Sequence, residues 1–125
     1  MTGAAPVPVA LTQRYAELGI GILQVYGLTE SCGPACLMDS QNALRKPDST
    51  GKAFFHTEIR IVSESGEDCA PGEAGEVLVR FGKPGALMVM RGYFNRSEAN
   101  AEVFTADGWV RTGDLCRADA QGYLY

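Results

Sequence analysis

The chain has 125 residues, of which 46% are apolar and 21% charged, and a formal net charge of −4. That supports one domain with a real core and excludes two ordinary ones, and the absence of a Lys/Arg stripe excludes a nucleic-acid backbone as the main partner. No apolar run approaches a membrane span, and the opening MTGAAPVPVA lacks the basic region and long apolar stretch of a secretory leader, so a cytoplasmic protein is expected.

In chain order, Gly3-Ala4-Ala5-Pro6 is a small-residue turn that permits close approach of backbone or ligand. From Val9 the spacing of Leu11, Tyr15 and Leu18 predicts an amphipathic helix stopped by Gly19. Ile20 to Val25 then reads as a short apolar strand covered on both faces, as in a parallel sheet. It runs into QVYGLTES, Gln24 to Ser31, whose polar end falls at the carboxyl edge of the sheet, where open α/β sheets gather ligands. Tyr26 offers a flat face for a base, Thr29 a hydroxyl for a phosphate oxygen, and Glu30 a hard oxygen ligand of the kind Mg²⁺ uses beside phosphates. The same run also reads as a strand ending in a polar turn, with Thr29 or Glu30 capping a neighbouring element. On spacing alone that plainer reading is preferred.

Ala35 to Met38 forms a further short strand, and the polar stretch Asp39 to Ser49, containing Pro47, marks a boundary. From Gly51 the pattern changes to hairpins. Thr57 to Val62 alternates, with Ile59 and Ile61 on one face, and pairs with Glu76 to Phe81, whose inward set is Val77, Val79 and Phe81. Ser65-Gly66 and Pro71-Gly72 supply turns, and a third strand, Ala86 to Met90, follows the Gly82 to Gly85 loop. Ser97 is the expected N-cap of a short helix to about Phe104, with Glu98 in its first turn. Leu115 to Arg117 and Tyr123 to Tyr125 form two arms of a hairpin around Gln121-Gly122. Ending inside a hairpin, the chain is expected to be a piece of a longer protein.

Several motifs fail their context. Gly19-Ile20-Gly21 has Gln24 at the third glycine of a dinucleotide fingerprint and precedes a strand; Gly51-Lys52 lacks the first glycine and the hydroxyl of a P-loop. Cys32, Cys36, Cys69 and Cys116 contain no CxxC pair and His56 stands alone, so zinc is not expected and the cysteines read as small apolar fillers.

Three separated stretches, GAAP at Gly3 to Pro6, YGLTE at Tyr26 to Glu30 and the run from Gly92 through Thr112-Gly113-Asp114 to Tyr125, together resemble the AMP-forming adenylating enzymes, in particular the fatty-acyl-CoA ligase branch. Ser49 to Lys52 and Gly72 to Val77 agree in register. The resemblance implies an α/β fold: the end of a parallel-sheet subdomain over residues 1–48, then a small distorted β-barrel subdomain over 49–125. It also implies an ATP-dependent reaction in which a carboxylic acid becomes an acyl-adenylate and passes to coenzyme A, with ATP, Mg²⁺ and coenzyme A as cofactors and co-substrates and a fatty acid as partner. By the same resemblance Tyr26 and Gly27 lie at the adenine, Gly3, Ala4, Ala5 and Pro6 wall its pocket, and Asp114 accepts from the ribose hydroxyls. Thr29 contacts a phosphate and Glu30 helps hold Mg²⁺, so these two carry the catalytic contacts. Such catalysis is mostly positioning and charge stabilisation.

Val25 stands where many members have glycine, at a position that faces the acyl pocket, and Asn100 replaces a usual threonine, which is expected to alter a local hydrogen bond and nothing catalytic. Trp109 is expected as a core aromatic beneath the Thr112 to Asp114 turn. The family's phosphate loop, ribose-binding arginine, hinge and C-terminal lysine fall outside these residues, so the isolated chain is not expected to catalyse adenylation. The full-length protein is expected to be cytoplasmic, with peripheral membrane association open to it. The rival readings are an aryl- or other carboxylic-acid adenylating enzyme and a non-catalytic nucleotide-binding module.

Overall fold

The computed structural model describes residues 1–3, 5–83 and 86–125. Helix α1 (Val9–Glu17) is followed by β1 (Val25–Leu28), β2 (Gly33–Leu37) and β3 (Lys52–Ala53), which form one sheet in that order. A second sheet holds β4 (Thr57–Val62), β5 (Ala74–Lys83) and β6 (Ala86–Leu87), with β7 (Val110–Arg117) on the other edge of β5; α2 (Ser97–Val103) precedes β7.

The expected α/β character stands, and the strand ladders are antiparallel. Parallel pairing among the described residues is limited to a bridge between Thr2 and Gln24, where Thr2 N–H donates to Leu23 O and Val25 N–H donates to Thr2 O. The second sheet is not closed into a barrel among these residues. The strand expected from Ile20 begins only at Val25, because the apolar run finds a single bridging partner and leaves Ile20 half exposed. The expected inward face of α1 is also displaced: Leu11, Tyr15 and Leu18 are exposed and Thr12 is the buried residue. Ser97 is the first residue of α2 instead of its cap, and the third hairpin strand is shorter than expected, with Met88 exposed. Pro84 and Gly85 of the expected Gly82 to Gly85 loop lie outside the described residues.

Burial explains why the two sheets stay together. Alternation sends Val77, Val79 and Phe81 of β5 to one face, where they meet Ala35 and Cys36 of β2, Val110 of β7 and Leu124. Each fully buried valine contributes about 1.5–2 kcal/mol of apolar transfer. On the opposite face Trp109 packs with Val62 and Leu78, and Arg80 and Arg60 lie over its ring, 4.4 and 5.5 Å from the centroid. Its expected burial is met, in this cluster instead of beneath the Thr112 to Asp114 segment.

The last residues return to the 39–51 segment. Ser49 Oγ donates to Leu124 O at 2.7 Å, Thr50 N–H donates to the same carbonyl, and Leu124 N–H donates to Gly51 O. The expected terminal hairpin is present, Arg117 and Tyr125 exchanging backbone hydrogen bonds. Its turn is organised by Asp119, which accepts from the N–H groups of Gln121 and Tyr123 and pairs with Lys46. Tyr123 donates to Asp39 Oδ2 at 2.6 Å.

These contacts carry a pH signature. The Lys46 ammonium holds Asp119 well below the usual carboxylate range, and the Tyr123 hydroxyl does the same, less strongly, for Asp39. A depressed folded-state pKa gives stability that is complete above the unfolded value, about 4, and lost as pH falls through the folded value. Asp119→Asn will therefore lower the melting temperature at pH 7, and its difference from the parent will shrink steadily below about pH 4. Melting curves from pH 7 to 2 test this; a difference independent of pH would remove the ion pair as its cause.

Candidate functional site

The QVYGLTES run forms a hairpin. Tyr26 and Gly27 lie within β1, Thr29 to Cys32 make the turn, and β2 returns antiparallel, so Thr29 and Glu30 sit at a hairpin tip and not beyond a parallel strand. A register shift between Tyr26 and Gly27 bends the strand, and β2 crosses close beside it: a Cβ on Gly27 would stand 2.5 Å from Gly33 O. Ser31, almost fully buried, ties the turn. Its hydroxyl accepts from Leu28 N–H at 3.0 Å and lies 2.6 Å from Gly33 O and 2.8 Å from Leu28 O, to either of which it can donate. The sequence reading passed over Ser31, whose signal was a hydroxyl in a four-residue turn.

Asp114 reaches the same place from β7. Glu76 of β5 faces Leu115 and Leu78 faces Arg111, so Val77 alone opposes Thr112, Gly113 and Asp114. The expected turn at Thr112 to Asp114 is thus a bulge inside a strand, with Gly113 at φ 74°. Thr112 Oγ1 donates to Val77 O at 2.8 Å and accepts from Asp114 N–H at 3.1 Å; Glu76 accepts from Gly113 N–H and from Arg111. The bulge aims Asp114 across to β1, where Tyr26 Oη donates to Asp114 Oδ2 at 2.7 Å over 88 residues of sequence. Burial pushes the Tyr26 hydroxyl well above its ordinary range, with Asp114 adding to the effect and the Thr112 hydroxyl opposing it, so Tyr26 remains a neutral donor.

This pair stands at a cavity of about 400 Å³ lined by Ala5, Pro6, Gln24, Val25, Gly27 and Leu28 on one side and Thr50, Val77, Leu115, Cys116, Leu124 and Tyr125 on the other. The cavity is the right size for a small organic ligand and combines apolar walls with a few polar groups. Gln24, which the sequence reading did not single out, fixes one wall by donating to Pro47 O at 2.7 Å and accepting from Val7 N–H.

The expected residues therefore divide. Tyr26, Gly27, Asp114, Ala5 and Pro6 converge on one cavity. Gly3 instead packs against β1, where a Cβ would meet Val25 Cγ1 at 2.5 Å. Ala4 lies outside the described residues. Thr29 lines a neighbouring open groove with Cys32, Gly33 and Pro34, sharing Val25, Gly27 and Leu28 with the first cavity. Glu30 lines neither, and accepts from Tyr93 Oη at 2.6 Å, a hydrogen bond that holds its carboxyl below the usual range. Among the described residues no three His, Cys, Asp or Glu side chains converge, so the carboxylate at this edge is a single donor. One carboxylate beside substrate phosphates suits Mg²⁺, which keeps several waters and rarely uses an all-protein cage.

The sequence and the fold have counterparts among characterised proteins. Residues 1–94 match the family model described as AMP-binding enzyme. The chain is 41% identical over 125 residues to the long-chain-fatty-acid–CoA ligase FadD13 of Mycobacterium tuberculosis, and 38% identical to the feruloyl-CoA synthase of an Amycolatopsis species; all of the chain aligns in both cases, with 24% of each relative. It thus spans about a quarter of the length of these relatives. Among solved structures, o-succinylbenzoate coenzyme A synthetase from Bacillus subtilis in complex with ATP and magnesium ion superposes with a TM-score of 0.86 at 38% identity, covering 98% of this chain and 24% of that one. The N-terminal domain of FACL13 from M. tuberculosis gives 0.85 at 40% identity, covering 99% of this chain and 30% of that one.

The packing of the site orders its thiols. Burial pushes Cys36 up to about 12 and Cys116 to about 11, whereas Cys32 in the hairpin turn is exposed. Thiolate is the reactive form, so at pH 8 iodoacetamide will modify Cys32 first and Cys36 last. Peptide mass spectrometry over a time course checks this, and early modification of Cys36 would contradict the packing of β2 against β5.

Proposed function

The chain belongs to the AMP-binding enzyme family, and on that premise we propose that it is the nucleotide-holding part of an ATP-dependent acid–CoA ligase. The observation that carries this reading is the Tyr26–Asp114 hydrogen bond at the mouth of an apolar cavity, which joins the two stretches a nucleoside needs, a flat aromatic and a carboxylate. In the reaction proposed, an oxygen of the substrate carboxylate attacks the α-phosphorus of ATP and pyrophosphate departs; the thiol of coenzyme A then displaces AMP from the acyl-adenylate. Tyr26 packs on the adenine and donates to Asp114. Asp114 accepts from the ribose hydroxyls, with Tyr26 fixing its second oxygen. Ala5, Pro6 and Gly27 close the base pocket. Gly3 supports the wall from behind, and Ala4 belongs to it by sequence. Thr29 contacts a phosphate from the adjoining groove. Glu30 would hold Mg²⁺, which when bound offsets the charge of the phosphates.

On the substrate class the relatives are of mixed chemistry. FadD13 is named for long-chain fatty acids, while other relatives are named for ferulate, indoleacetate and 2-succinylbenzoate. A fatty acid is the first choice and an aryl or other carboxylic acid the second; Val25, which with Gly27 and Leu28 lines both depressions, is the side chain proposed to decide between them. The division at residues 48 and 49 and a cytoplasmic location belong to the same proposal. No helix among the described residues is long and apolar enough to cross a membrane.

In the full-length protein, Asp114→Ala will raise the KM for ATP at least about tenfold, as expected when a charge-assisted hydrogen bond worth about 1.5–3 kcal/mol is removed, with the KM for the acid little changed. Steady-state kinetics with each substrate varied in turn check it, and an unchanged KM for ATP would sink the nucleotide reading. Val25→Gly will extend acceptance to longer or bulkier acids in a panel of graded chain length; an identical profile would remove Val25 from the acyl path.

A further inference from the structure

Glu30 leaves the hairpin tip partly open to solvent, and both its backbone and its side chain are held by the segment that leads into α2. Met90 N–H donates to Glu30 O at 3.0 Å, and Tyr93 Oη donates to Glu30 Oε1 at 2.6 Å. Tyr93 is itself fixed. Asn100 of α2 accepts from Tyr93 N–H through Oδ1 at 2.6 Å and donates from Nδ2 to Tyr93 O at 2.9 Å, closing a two-bond ring on the peptide backbone. The amide can lie there only because position 92 is glycine: its φ is +135°, and a Cβ would stand 2.9 Å from Asn100 Oδ1. A continuous path of short hydrogen bonds thus runs from α2 through Tyr93 to a carboxylate on the other sheet.

We propose that Tyr93 is a positioning residue for the Mg²⁺ carboxylate Glu30, and that Asn100 is the clamp that holds Tyr93 in place. The inference rests on the assignment of Glu30 to Mg²⁺ made above. A partly exposed glutamate with no hydrogen-bond partner samples several rotamers, and a cation that binds it must freeze them. The Tyr93 hydroxyl freezes them beforehand. It takes Oε1, while Oε2 accepts no side-chain hydrogen bond among the described residues and is left for the cation. Removing the hydroxyl lets water take its place on Oε1, so the charge of Glu30 is preserved and its orientation is lost. Hydrogen-bond partners of metal ligands commonly tune affinity in this way. Asn100, expected from the sequence to affect only a local hydrogen bond, makes that bond to the residue that orients the carboxylate.

The test is a titration of the full-length protein with Mn²⁺, followed by electron paramagnetic resonance in the presence of α,β-methylene-ATP, so that no turnover is needed. Tyr93→Phe will weaken Mn²⁺ binding about tenfold. Asn100→Ala will weaken it in the same direction and by less, and the double variant will be no worse than Tyr93→Phe alone. Affinity for the nucleotide in EDTA will stay at the parent value in all three. Glu30→Gln separates this inference from the reading beneath it. If Glu30→Gln weakens Mn²⁺ binding and Tyr93→Phe does not, positioning by Tyr93 is overturned while the metal assignment stands. If Glu30→Gln binds Mn²⁺ as the parent does, the metal assignment fails and this inference with it. If Tyr93→Phe lowers the melting temperature, Asn100→Ala decides in its place, and parent-like Mn²⁺ affinity there overturns the proposal.

Discussion

Strand β5 is paired along both edges, to β4 in unbroken register and to β7 in a register that slips opposite Val77. The side chain of Val77 belongs to the buried core shared with β2, while its carbonyl accepts from the Thr112 hydroxyl in the bulge. One residue therefore links the packing of the two sheets to the direction in which Asp114 points. The bulge keeps its shape because its polar groups are satisfied locally: Thr112 bonds both Val77 and Asp114, and Glu76 reaches the Gly113 amide. The tyrosine–carboxylate contact rests on this arrangement.

The candidate site is divided between two hydrogen-bonded pairs that do not touch each other. Tyr26 with Asp114 marks the cavity, and Glu30 with Tyr93 marks the hairpin tip. In each pair a phenol from one sheet or its flank meets a carboxylate from the other, so each pair crosses between sheets. Side chains four positions apart in the hairpin, Tyr26 and Glu30, are thereby anchored at points far apart in sequence. The hairpin is held like a strap fastened at both ends.

Much of this was legible before the structure. Alternation gave β5 with its inward residues Val77, Val79 and Phe81, whereas in β4 only Ile59 of the expected face packs on that core and Val62 is buried on the opposite face with Trp109. The stretches at Gly3 to Pro6, Tyr26 to Glu30 and Thr112 to Asp114 point to residues of which Ala5, Pro6, Tyr26, Gly27 and Asp114 line one cavity, while Ala4 lies outside the described residues. What composition could not convey was pairing. Ile20 to Leu23 is apolar throughout and yet pairs hardly at all, and Leu11, Tyr15 and Leu18 have helical spacing and yet remain exposed. Periodicity reports which face of an element is apolar, and burial depends on what lies opposite. In sequence the bulge looks like a turn, since glycine between polar residues is common to both. Gln24, Ser31 and Asn100 are not legible as site residues because polar side chains that bond backbone groups leave no periodic trace.

Asp114 lies on the long side of a bulge, three residues facing one, and that carries a consequence for how such a chain can diversify. Strand side chains alternate between faces, so a single-residue deletion in this segment would turn the carboxylate away from β1 and send the following residues to the wrong side of the sheet. Length changes in this segment therefore cannot be absorbed, and Gly113, at φ 74°, resists a side chain as well. The neighbouring terminal hairpin is tied at its tip as well, where Asp119 accepts from the N–H groups of Gln121 and Tyr123, so the register of β7 is held from both the bulge and the turn.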